Sequence, residues 1–335
     1  MREMILAVAV LLASACGGGS APTPAAPASF TPPSPAGGSA PLVFRISPID
    51  QSAIRWITPL GNLNPPDHAL PTDHIYFYFA DPNAGESPVA RRTAFFAPAD
   101  GTVEDLFNGL ASDQKVFIRA NNTVRYYVDH LLPDVRLTRG AKITAGQRLG
   151  TSGSAYAIDL GVVNDALTLA FVNPSRYAMG DTLHADAPLK YYEEPLRSQL
   201  SARVQRLGAD RDGKIDYDLA GRLVGNWFID GGSLSLTFAY DTYDPAQVRI
   251  CTPGGFLQSG VFAIAPGEPL PRDISVASGK VRFTLSRTIT GPAPPTTASA
   301  RLLVQMLSDT RIQVEMFSMT ASADDFTAAS RSFIR

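Results

Sequence analysis

The chain carries only four histidines, His68, His74, His130 and His184, and all of them fall between residues 68 and 184 of 335. Aspartates lie among them. Asp67 directly precedes His68, Asp73 precedes His74, Asp129 precedes His130, and Asp159 stands in the run Tyr156-Ala157-Ile158-Asp159-Leu160-Gly161-Val162. Imidazoles and carboxylates are the side chains that hold zinc and that move protons near neutral pH. Their clustering suits one site in the first half of the chain. The plain alternative is that His68, His74 and His130 are loop and strand-end residues with no metal.

The surrounding order of motifs is specific. Residues 97 to 103 read Ala-Pro-Ala-Asp-Gly-Thr-Val, a hairpin then ends in Tyr126-Tyr127-Val128-Asp129-His130-Leu131, and residues 140 to 153 read Gly-Ala-Lys-Ile-Thr-Ala-Gly-Gln-Arg-Leu-Gly-Thr-Ser-Gly. This order resembles the core of lysostaphin-type (LytM-type) zinc metallopeptidases, which cut peptidoglycan cross-bridges. The resemblance covers about residues 55 to 172. It implies an antiparallel two-sheet fold (the duplicated hybrid motif) with a groove for a peptide.

In that family a first His, an Asp and the second His of a late His-x-His hold the metal, while two further histidines serve catalysis. Here the first region reads Asp67-His68-Ala69-Leu70-Pro71-Thr72-Asp73-His74, without the family spacing, and the late pair is replaced by Ala157 and Asp159. Two registers are open. In the preferred one His68, His74 and Asp159 are the ligands, a set that suits tetrahedral zinc with one position left for water. In the other, Asp73 replaces His74, and the set shifts toward oxygen-preferring cations. His130 matches a family histidine that handles protons. Its partner is missing, because Ala157 cannot carry a proton; Asp67, Asp73 and Tyr156 are the candidate substitutes. Two functions follow as expectations. One is a divergent zinc endopeptidase acting on peptidoglycan. The other is a non-catalytic module that binds cell-wall peptide or activates a cell-wall amidase through the old groove.

The elements that must position these residues read as mostly β. Ile75, Phe77 and Phe79 share one face of a strand from His74 and Tyr76 and Tyr78 the other, so that strand is expected to be central. Lys115 to Ala120 and Val124 to Asp129 alternate around Asn121-Asn122, a hairpin signal. The glycines of Gly150-Thr151-Ser152-Gly153 read as tight turns with positive φ. Leu196 to Leu207 reads as a short helix. Beyond Gly221 the pattern returns to β, with Leu234, Leu236, Phe238 and Tyr240 alternating with smaller residues. This second half is expected to be a separate β-sandwich or open barrel. Its Gly225-Asn226-Trp227 resembles the Gly-x-Trp opening strand of lipocalins, although a Trp closing any small barrel reads the same way. Asp210-Arg211-Asp212-Gly213-Lys214-Ile215-Asp216 looks like part of a calcium loop, but Gly208 and Leu219 occupy its two end positions and supply no carboxylate.

The start of the chain sets the expected compartment. Arg2, the apolar run Ile5 to Ala13 and Ala13-Ser14-Ala15 form a secretory signal too short to span a bilayer. Cys16 then resembles the lipid-bearing cysteine of a bacterial lipobox, with Leu12 displaced by one position, and Gly17 suits outer-membrane sorting. The segments are therefore 1–15 signal, 16–42 tether, 43–190 peptidase-like and 196–335 a β unit of unknown role. Gly, Ala, Ser and Pro dominate 17 to 41, a composition that cannot bury a core. Lipidation of Cys16 would leave Cys251 as a small buried apolar residue. The net charge of −2 and the absence of Lys/Arg runs exclude a nucleic-acid partner. The expected membrane contact is the lipid anchor alone.

Overall fold

The structure, a computed structural model, describes residues 41–65, 68–108, 113–177, 180–288 and 297–335. The signal segment, Cys16, the tether to residue 40 and Asp67 lie outside the described residues.

Ten strands build the first half: β1 (Trp56–Thr58), β2 (His74–Tyr78), β3 (Ala94–Phe96), β4 (Gly101–Asn108), β5 (Gln114–Arg119), β6 (Val124–Pro133), β7 (Lys142–Ile143), β8 (Arg148–Ser152), β9 (Ala157–Asn164) and β10 (Ala185–Asp186). They join in the order β1-β2-β9-β6-β5-β4-β7, with β10 on β9 and the β3–β8 pair attached to β6. The named pairings are antiparallel, as expected. β2 is flanked on both sides and buried along His74–Phe77, which is why both its faces are apolar or aromatic. The β5–β6 hairpin turns at Asn121-Asn122, where the Asn121 side chain accepts from the Thr123 and Val124 N–H groups. One short helix, α1 (Leu196–Ser201), follows, ending earlier than the pattern to Leu207 suggested.

The glycines near residue 150 have another reason than the one expected. Neither Gly150 nor Gly153 has positive φ. A Cβ on Gly150 would lie 2.0 Å from the Leu132 carbonyl oxygen, so β8 can approach β6 only without a side chain there. Gly161 shows the same logic at the site itself. A Cβ there would stand 2.1 Å from the Tyr127 ring, which lies across β9 in the space it leaves. Gly161→Ala is expected to cost about 1–3 kcal/mol through overpacking. Urea denaturation checks this, and the smaller Tyr127→Leu ring space should recover part of the loss in the double variant.

The second half is a closed barrel of β11 (Gly225–Ile229), β12 (Ser235–Tyr240), β13 (Val248–Thr252), β14 (Gly260–Ile264), β15 (Lys280–Thr288), β16 (Ala298–Ser308), β17 (Arg311–Ser318) and β18 (Arg331–Ile334). Closure comes from β18 pairing back onto β11. Inside, Trp227, Phe238, Phe262, Phe283 and Phe333 pack with Leu236, Ile250 and Leu302 into one apolar core. The interior is thus occupied by the chain's own side chains. Trp227 donates from its indole N–H to the Leu223 carbonyl at 2.8 Å, and the Arg335 guanidinium lies 3.7 Å from its ring. The Asp210–Asp216 segment is a polar loop: Asp210 accepts from the Asp212 N–H and from Arg206, and Lys214 pairs with Asp216.

Cys251 is fully buried on the outer side of β13 and is not in a disulfide. Burial pushes its thiol up to about 12. In a Cys16→Ser protein at pH 8, thiol reagents should leave Cys251 unmodified in buffer and modify it fully in denaturant. Ready modification of the native protein would contradict this placement.

Candidate functional site

Antiparallel register fixes which side chains meet. Tyr76 stands opposite Asp159, His74 opposite Gly161, and Tyr78 opposite Ala157 on the β2–β9 pair. On the other edge of β9, Tyr127 faces Gly161 and Asp129 faces Asp159. Directly opposed residues share a sheet face, so His74, Tyr76, Tyr78, Asp159 and Tyr127 lie together.

Asp159 is the centre. It is only 4% exposed. Its Oδ2 lies 3.3 Å from His74 Nε2 and 3.6 Å from His130 Nε2. Each imidazole is braced from behind. Asp73 Oδ1 lies 3.0 Å from His74 Nδ1, and Asp113 Oδ2 lies 2.9 Å from His130 Nδ1. The result is an alternating row, Asp73, His74, Asp159, His130, Asp113. The Asp73 oxygens are spoken for, since Oδ1 also accepts from the Tyr127 hydroxyl at 2.7 Å and Oδ2 from Thr182 at 2.5 Å. Asp113 reaches His130 past Gly153, where a Cβ would come within 3.0 Å of its carboxylate.

His130 has φ +64, the only non-glycine residue in the left-handed region among the described residues. Such backbone costs of order 1 kcal/mol and gathers at functional sites. The Asp129 carboxylate holds it by accepting the His130 N–H at 2.7 Å, and the His130 carbonyl accepts from Gly153 N–H at 2.7 Å.

The row sets its own protonation. Burial alone would depress His74 and His130, but Asp159 and the bracing aspartates outweigh it, and both imidazoles are raised above 6.5. Burial raises Asp159 against the pull of the two imidazoles. Asp73 is buried too, yet its bonds to His74, Thr182 and Tyr127 hold it well below the usual carboxylate range. Lys115 lies 3.8 Å from the Tyr127 ring centroid and adds positive charge nearby.

Of the residues singled out from sequence, His68, His74, Asp159 and His130 come together. The His68 ring is 5.5 Å from that of His74 and 6.3 Å from that of Tyr76. His184 stands apart, with Nδ1 bonded to the Leu167 carbonyl. Tyr156 is on the surface and Asp67 lies outside the described residues. Asp113, Tyr76 and Tyr127 were not singled out from sequence.

Fit to zinc divides between type and placement. The donor types suit it: His68 and His74 are imidazoles, Asp159 is a carboxylate, and His74 is braced on Nδ1 by Asp73. The placement does not. His74 Nε2 already has the Tyr76 hydroxyl at 3.0 Å, and among the described residues no group of three or more His, Cys, Asp or Glu is arranged to hold a metal ion. Within the row, Asp159 Oδ1 is buried with no hydrogen-bond partner.

No family model matches the sequence, and no curated protein matches it. Solved structures give weak likenesses. The SpoIIQ–SpoIIIAH pore forming complex matches 47% of this chain and 95% of that chain at 14% identity, with a TM-score of 0.30. The antimicrobial peptidase lysostaphin from Staphylococcus simulans matches 88% of this chain and 92% of its own at 12% identity, with a TM-score of 0.28. A solution structure of lysostaphin matches 79% and 80% at 13% identity, with a TM-score of 0.24. Likeness at this level decides neither family nor chemistry, and both rest on the residues above.

Proposed function

We propose that residues 43–190 are a lysostaphin-type groove that binds cell-wall peptide without hydrolysing it, in an exported protein anchored through a lipid on Cys16. The observation that carries this reading is the closed row of side chains. Hydrolysis at such a site needs a proton carrier beside His130, and Ala157, opposite Tyr78, is a methyl group. His74 Nε2, which a metal would need, is held by the Tyr76 hydroxyl. What remains suits recognition of a peptide backbone. His130, more exposed than His74, supplies an Nε2 N–H donor 3.6 Å from Asp159. Tyr78, pushed up to about 12 by burial and by Asp159, stays a neutral hydroxyl. The stacked Trp56–Tyr78 pair, with ring centroids 4.6 Å apart, offers an apolar wall. A cell-wall amidase partner would use the same face.

Calorimetry with soluble cell-wall peptides tests this. Saturable binding that weakens about tenfold in His130→Ala is the expected result, by loss of one charge-assisted hydrogen bond. No binding by the wild type would end this reading.

A second reading, zinc held by His68, His74 and Asp159 with hydrolysis assisted by His130, is favoured by the partnerless Asp159 Oδ1, an acceptor that a cation would satisfy. Metal analysis decides between them. Near-stoichiometric zinc in wild type, lost in His68→Ala, His74→Ala and Asp159→Ala, would favour the second. No zinc in the folded protein after zinc is supplied would favour the first.

A further inference from the structure

The role of the barrel follows from what lies on its outside. The loop between β1 and β2 carries His68. Its stem is closed by paired backbone bonds, Asn64 N–H to the His68 carbonyl at 2.9 Å and His68 N–H to the Asn64 carbonyl at 3.0 Å. On either side of that stem, Leu63 and Ala69 pack against Ala239, Cys251 and Val261, the small outward-facing residues of β12, β13 and β14. The carbonyl of Ala69, the residue after His68, lies 2.9 Å from the Thr237 hydroxyl on β12, a fully buried contact in which the single hydroxyl proton is shared with Asn226 Oδ1 on β11 at 3.0 Å. At the start of the loop the Leu60 carbonyl accepts from Thr242 at 2.7 Å. Gly61, at φ +95, lies so close to the Lys214 carbonyl that a Cβ would stand 2.4 Å from it.

We infer that the outer face of β12–β14 is the platform that sets His68 in the site, and that Thr237 is its positioning residue. The alternation of the barrel strands explains the division of labour. Large inward residues such as Leu236 and Phe238 fill the core, and the small outward ones between them, Thr237 and Ala239, make a surface a loop can lie on. The barrel then acts on the groove by holding the loop that supplies its imidazole, with its own interior already filled. Whether the groove binds cell-wall peptide is a separate matter, since the inference concerns only where His68 is placed.

The test is amide hydrogen exchange on the full protein, with the His68 ring resonance followed in parallel. Thr237→Val keeps the shape and removes the hydroxyl, leaving the Ala69 carbonyl buried without a donor. Exchange at Asn64 and His68, whose N–H groups close the stem, should rise about tenfold, matching the loss of one buried hydrogen bond. The His68 resonance should shift, while exchange in β9 and in β15–β17, which Thr237 does not touch, stays as in wild type. Thr237→Ser keeps the donor and should restore slow exchange, which a merely structural defect would not do. If Thr237→Val does not fold, Cys251→Ala thins the packing under the same loop and should raise exchange there about threefold. Unchanged exchange at Asn64 and His68 in these variants overturns the inference. So does a rise that Thr237→Ser fails to reverse. Loss of peptide binding by the wild type would instead strike the proposed function, and the exchange result would stand.

Discussion

Asp159→Ala is expected to lower the pKa of both His74 and His130 and to weaken cell-wall peptide binding about tenfold or more. Asp159 is the largest opposing influence to burial at each imidazole, so its removal lets burial count for more. The stability profile should change with it. A histidine raised above 6.5 contributes stability that is whole below that value and is lost as pH rises through its folded pKa. Asp159, a carboxylate raised above 3.8 by burial, acts in the same direction, its share being lost as pH rises through its own folded pKa. Asp73 is depressed, so its share is present above 3.8 and is lost as pH falls through its folded value. For these groups the wild-type melting temperature should be highest on the mildly acid side and decline through the imidazole range. In Asp159→Ala that decline should be smaller and end at lower pH. NMR titration of the histidine rings, beside melting curves from pH 4 to 9, checks both, and histidines that titrate as in wild type would contradict the row.

Asp241→Ala should be the most damaging substitution outside the site, at about 3–5 kcal/mol. Asp241 and Arg249 are both essentially sealed from water and their Oδ2–Nε distance is 2.7 Å. Asp241 Oδ1 also accepts the N–H groups of Tyr243 and Asp244, and Arg249 donates to the Val248 carbonyl and the Gln247 side chain. Removing the carboxylate leaves a buried guanidinium without its counter-charge and two N–H groups without an acceptor. Thr242 follows directly and holds the Leu60 carbonyl, so the loop that carries His68 should loosen together with the barrel. Urea denaturation measures the loss. Asp241→Ala within about 1 kcal/mol of wild type would mean that the pair is better hydrated than its burial indicates.

Much of this was legible in the sequence, and the reasons differ by feature. The β5–β6 hairpin was announced by alternation on both sides of Asn121-Asn122, and the central place of β2 by apolar residues on both faces. The second β unit was visible in Leu236, Phe238 and Tyr240, but its closure was not, because the β18–β11 pairing joins segments about a hundred residues apart. Asp113 was missed for a related reason. Nothing local marks it, and the β5–β6 register shifts by one residue at a bulge between Gln114 and Val116, just where Asp113 comes to bond His130. Counting the regular register out from Asn121-Asn122 puts Gln114, not Asp113, opposite His130. The positive φ of His130 has no sequence signature. Gly150 and Gly153 were read as turns, while their actual need is the close approach of Leu132 and Asp113. Glycine in sequence does not tell those two needs apart.

The central claim is that this groove holds cell-wall peptide and leaves it intact. Sedimentation of the full protein with cross-linked peptidoglycan, followed by chromatography of the soluble fraction, tests it most directly. The account predicts that the protein sediments with the wall, that His130→Ala and Asp159→Ala reduce this, and that no new soluble fragments are released, with zinc or without. Fragments released by the wild type and abolished in His130→Ala would contradict it, as would a wild-type protein that stays in solution.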